Sequence, residues 1–105
     1  MIVVIFEVQP SEAGRQRYFD LAGELRPQLE NQDGFMSIAR FESLAVPGKF
    51  VSISFWRDEA AVAAWRGHPG HAAAQDLGRR ELFADYRITV AQSLRVYGPQ
   101  GAAPE

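Results

Sequence analysis

The chain has 105 residues, room for one domain and too little for two. Its 47% hydrophobic content is enough for a buried core, and its net charge of −2, from 11 basic and 13 acidic residues, argues against nucleic-acid binding, which calls for a basic stripe. The absence of cysteine excludes disulfides, zinc ribbons, iron–sulfur clusters and thiol nucleophiles.

Ile2 to Gln9 is a β-branched and aromatic run ended by Pro10, which predicts a first strand, apolar on both faces and so covered on both sides. Its opening, Met1 to Phe6, has no basic leader or small-residue cleavage site. It also falls short of the ~20 residues that span a bilayer, so the expectation is a cytoplasmic protein without membrane contact. Ser11 suits a helix cap, and Tyr18, Leu21, Ala22, Leu25 and Leu29 recur at helical spacing. One helix is expected from about 11 to 31, bent at Pro27, whose ring meets the carbonyl of Gly23, and stopped by Asn31-Gln32-Asp33-Gly34.

Phe35 to Glu42 and Lys49 to Arg57 read as two strands of an antiparallel hairpin, turned at Ala45-Val46-Pro47-Gly48. Asp58 caps a helix over Glu59 to Arg66. Gly67-His68-Pro69 interrupts it, and Pro69 suits the first turn of a renewed helix, roughly 69 to 84. Tyr86 to Tyr97 is the last strand. The Gly-, Pro- and Ala-rich residues 99–105 make a flexible tail after a domain of residues 1–98.

The order β-α-β-β-α-β predicts an α+β, ferredoxin-like fold: a four-stranded antiparallel sheet with helices on one face. Parity places Val3, Ile5, Phe50 and Trp56 on the helix-free face. Exposed, they would form a large apolar patch, so a homodimer packed sheet to sheet is expected, with Trp56 serving the interface.

The stretch Ser54-Phe55-Trp56-Arg57-Asp58-Glu59, the Trp65 seven residues beyond Asp58, and the turn His68-Pro69-Gly70-His71 resemble the antibiotic biosynthesis monooxygenase family. The resemblance runs from residue 1 to about 98. It implies a dimeric α+β barrel with a pocket in each subunit between helices and sheet. It further implies oxidation of phenols to quinones by molecular oxygen with no metal or flavin, and hence no cofactor. Relatives in the wider group bind and degrade heme. That branch has a ligating histidine ten residues after the tryptophan, where this chain has Gln75, and an asparagine on the first strand, where this chain has Phe6, Glu7 and Val8. Gln75 is a poor iron ligand, so heme binding is the alternative reading.

His71, Gln75, Gly78 and Leu82 form one helical stripe, notched at Gly78. His71 has two readings: a base toward a bound phenol, or a residue that hydrogen-bonds a backbone carbonyl at the helix start. Glu7 is the second choice of base if its side chain reaches the pocket with a raised pKa; otherwise it pairs with Arg40 or Arg87. Trp65 is a stacking wall or a core residue, Phe6 a second wall, and Gln75 a donor toward the developing oxyanion. His68 and His71 have metal-ligand spacing, but no third ligand is evident, so no metal site is expected. These readings converge on a cofactor-independent monooxygenase acting on a small aromatic or hydrophobic substrate. A non-catalytic dimeric module binding a small hydrophobic metabolite is the remaining alternative.

Overall fold

In a computed structural model, residues 1–99, 101 and 102 are described. The elements are β1 (Ile2–Pro10), α1 (Arg15–Glu30), β2 (Phe35–Glu42), β3 (Phe50–Trp56), α2 (Glu59–Arg66), α3 (Pro69–Leu77), a single π-helical turn (Gly78–Leu82), β4 (Phe83–Gln92), and a two-stranded ribbon of β5 (Tyr97–Gly98) and β6 (Gly101–Ala102). The main sheet has the order β2-β3-β1-β4 with every pair antiparallel. This is the ferredoxin-like arrangement expected from the element order.

Local chemistry sets the boundaries. Ser11 does not cap α1. Its hydroxyl instead accepts from the Gly14 amide at 3.0 Å in a turn, and the helix begins at Arg15. Pro27 sits in the last part of α1, and the Asn31 amide still reaches the Pro27 carbonyl at 3.3 Å. Gly34 turns the chain at φ 84°, a conformation that L side chains rarely adopt. The Asp58 carboxylate accepts from the Ala61 amide at 2.9 Å, the expected cap of α2. The renewed helix is shorter than expected and β4 starts earlier, at Phe83. The five-residue π turn uses up the chain that a longer α-helix would have taken. β4 stops at Gln92, so Leu94 lies outside it and is 81% exposed. Of the proposed tail, Gln100 and residues 103–105 lie outside the described residues.

The register corrects the assignment of sheet faces. Ile2 stands opposite Trp56 and Val3 opposite Phe55, so Trp56 shares its face with Ile2, Val4 and Phe6. That face meets the helices. Trp56 is 2% exposed in a core with Ile2, Leu29, Ala61, Val62 and Trp65. Its indole donates to the Ser54 hydroxyl at 2.9 Å. Phe50 also faces the helices, edge-on to Phe19 of α1 with ring centres 5.0 Å apart. The open face carries Val3, Ile5, Val51, Ile53, Phe55 and Phe41 instead. The expected interface role of Trp56 is therefore wrong, while the apolar helix-free face itself exists.

Candidate functional site

Two apolar groups lie between helices and sheet. One is the core around Trp56, Trp65, Val62 and Leu29. The other is an aromatic chain in which Phe83 contacts Tyr18, Phe6 and Tyr86, with ring centres 5.6, 5.7 and 5.8 Å away. Between them is a cavity of about 270 Å³, walled by residues of both groups. That volume is at the small end for a ligand pocket and suits a compound of one or two rings.

His71, Gln75, Trp65 and Phe6 all line this cavity. The sequence placed them on three different elements, and the fold brings them together. Trp65 is a core residue, the second of its two readings, 8% exposed within the core cluster, and it also lines the cavity. The rings of His68 and His71 both lie on it at tilted angles, with centres 5.0 and 4.9 Å from the indole. The two histidines have separate tasks. His68 caps α3, its Nδ1 accepting from the Gly70 amide at 3.1 Å. The Nδ1 of His71 is buried and has no hydrogen-bond partner. Burial pushes the His71 pKa below the ordinary 6.5, and the nearby His68 and Arg66 push the same way, against the opposing pull of the Arg66 and Trp65 carbonyls. His71 is therefore neutral at neutral pH.

Glu7 is not in this cavity. It lies on the opposite face of β1 from Phe6, at 2.7 Å from the Arg87 guanidinium and 3.2 Å from the Lys49 ammonium. The hydrogen bonds from Arg87 and Lys49 lower its pKa, the reverse of the rise a base would need. The pairing with Arg87 was one of its two anticipated partners. The other, Arg40, is on the helix side and lines the cavity.

The notch expected at Gly78 is occupied. A Cβ there would meet the Phe83 ring at 2.5 Å, so the missing side chain makes room for an aromatic wall rather than for a ligand. Sequence reasoning also missed Tyr18, Phe83, Ser52, Ser54, Arg66 and Arg79 as lining residues. Ser52 and Ser54 carried a usable signal, since they alternate with Trp56 on the inward face of β3. Phe83 carried none, because the π turn that aims it has no sequence mark.

Fold and cavity together define a small ferredoxin-like α+β domain with a mainly apolar cavity beneath its helices. Residues 1–77 match the antibiotic biosynthesis monooxygenase family, and the chain belongs to it. It is 42% identical over 92 residues, 88% of its length, to a jasmonate monooxygenase of Pyricularia oryzae, and spans 43% of that relative's length. It is 28% identical over 89 residues to an uncharacterised Bacillus subtilis protein, covering 85% of this chain and 75% of that one. A Mycobacterium tuberculosis structure superposes with a TM-score of 0.82 at 22% identity, covering 92% of this chain and 98% of the other. A Deinococcus radiodurans structure does so at 0.81 and 20% identity, covering 96% and 100%.

Proposed function

We propose that the chain is a monooxygenase that oxidises a small aromatic, phenol- or hydroquinone-like substrate with molecular oxygen, drawing the electrons from the substrate itself. The observation that carries this reading is the His71 imidazole: neutral, partly desolvated, packed on Trp65, lining an apolar cavity, and with a buried Nδ1 that has no hydrogen-bond partner. Such a group is unprotonated at neutral pH and so available to take a proton, although its lowered pKa makes it a weaker base than free imidazole.

In the proposed reaction, His71 takes the phenolic proton. The phenolate then has an electron-rich ring carbon that dioxygen can attack. The balanced change is phenol plus O₂ to quinone plus water, with four electrons leaving the ring and four reducing dioxygen. Trp65 and Phe6 hold the ring, and Gln75 supplies a hydrogen bond to the phenolate oxygen. Glu7 is left out, because its carboxylate is committed to Arg87 and Lys49 on the other face. The relative in Pyricularia oryzae is named for oxidation of jasmonate, which supports the reaction class more than the substrate class.

We further propose that the working unit is a homodimer packed through the open sheet face, where Val3, Ile5, Val51, Ile53 and Phe55 are half-buried on the side away from the helices. The test of activity is oxygen uptake by purified protein with a panel of phenols and hydroquinones and no added cofactor. Uptake coupled to quinone formation is expected. No turnover across the panel would overturn the reading.

A further inference from the structure

The chain has eleven basic side chains. Seven have a carboxylate partner: Arg15, Arg17, Arg26, Lys49, Arg57, Arg80 and Arg87. Among the described residues, Arg40, Arg66, Arg79 and Arg95 have none within 4.0 Å, and three of these four line the cavity beneath the helices. The exception is Arg95. Although the chain has 13 acidic residues, no Asp or Glu is among the cavity's lining residues. All three guanidiniums are exposed to solvent at the rim, so they reach the cavity mouth while staying hydrated.

The three arginines come from three elements. Arg40 stands on the inward face of β2 opposite Ser52, Arg66 ends α2, and Arg79 lies in the π turn, four residues beyond Gln75 and eight beyond His71. Arg66 is close enough to His71 to lower its pKa. The remaining walls are mostly aromatic and aliphatic, with Ser52, Ser54, His71 and Gln75 the other polar lining residues. An apolar slot bordered by uncompensated guanidiniums is complementary to an amphipathic anion: the body replaces water in the slot, and the head receives charge-assisted hydrogen bonds.

We propose that the cavity takes an apolar compound carrying an oxyanion, in the simplest case a carboxylate, with the ring system against Trp65 and Phe83 and the charge toward Arg40, Arg66 and Arg79. This names the substrate class of the site assigned above, and rests on the monooxygenase reading only for the choice of cavity. The helix-end position of Arg66 has a competing explanation, since a cation in a last turn favours the helix dipole. The same explanation covers Arg79, in the last turn of the π-helical segment, whereas Arg40, on a strand, has no such explanation.

The experiment is a binding comparison of 2-naphthoate with its uncharged amide, 2-naphthamide, by calorimetry at pH 8, where His71 is neutral and only the arginines carry charge. The acid is expected to bind about tenfold more tightly than the amide at low salt. The advantage should shrink in 0.5 M salt, as for ion pairs near solvent. It should also shrink in Arg40→Gln, Arg66→Gln and Arg79→Gln, each checked for fold by circular dichroism, with the acid losing more affinity than the amide. Equal affinities, no saturable binding of naphthoate, or an advantage that survives all three substitutions would overturn the proposal. Its failure is separable from that of the monooxygenase reading. Charge-selective binding without oxygen uptake would sink only the reaction, and turnover of neutral phenols with no preference for acids would sink only the anion.

Discussion

His71 and Glu7 show how neighbours divide the work of two titratable groups. Both were candidate bases in the sequence, and the parity of β1 turns Glu7 away from the cavity that His71, on α3, lines. Glu7 faces Arg87 and Lys49 and is held in its charged form. His71 is buried against Trp65 and is held in its neutral form. The His71 shift has a consequence for stability. Its folded pKa is below the unfolded value near 6.5, so as pH falls the unfolded chain takes up this proton first. The contribution is present above pH 6.5 and is lost as pH falls through the window below it, down to the folded pKa. Tm measured from pH 7.5 to 5 should therefore drop more steeply for the wild type than for His71→Leu; parallel curves would contradict the burial argument. Glu7→Gln, in contrast, should leave turnover within about twofold of wild type, since its side chain does not reach the cavity. A loss of ten-fold or more in rate would return Glu7 to the mechanism.

Among the elements, the junction of α3 and β4 sets the shape of the cavity. The π turn ends at Leu82, the Ser11 amide donates to the Leu82 carbonyl at 2.7 Å, and Phe83 follows directly with its ring over Gly78. Gly78→Ala puts a methyl 2.5 Å from that ring. The ring must move, and the space beside it is the cavity. The variant should lose about 1–3 kcal/mol in urea denaturation, the scale of core overpacking, and should also bind ring compounds more weakly. A variant with unchanged stability and affinity would show that Phe83 is free to step aside. This junction is also where sequence reading fell short. The alternation of β3, the cap at Asp58 and the punctuation at Gly67-His68-Pro69 were legible because each is a local rule. The face of the sheet that Trp56 occupies was not, because parity within one strand fixes two faces without saying which one the helices cover. Only the pairing of Ile2 with Trp56 decides that. The arginines around the cavity were illegible for the same reason: their meaning lies in the partners they lack, and pairing is set by the tertiary fold.

For the whole molecule, the corrected register relocates the proposed interface but keeps it. Its centre is Val3, Ile5, Ile53 and Phe55 on the two middle strands, with Phe41, 52% exposed, at the β2 edge. Ile5→Glu should give monomer or aggregate by light scattering, because a buried unpaired carboxylate between two sheets is costly. An unaltered dimer would move the interface elsewhere, and Trp56→Phe should leave assembly intact because the indole lies within the subunit's own core. The account as a whole rests on His71 acting as a base in the cavity, and the most direct test is turnover against pH for wild type and His71→Ala on one accepted phenol. The wild-type rate should fall on the acid side with its midpoint below pH 6.5, since only neutral imidazole accepts the proton. His71→Ala should lose about 10²–10⁴-fold in rate, keep its affinity for the ring, and lose that acid limb. A His71→Ala variant with near-normal rate and an unchanged pH profile would contradict the account.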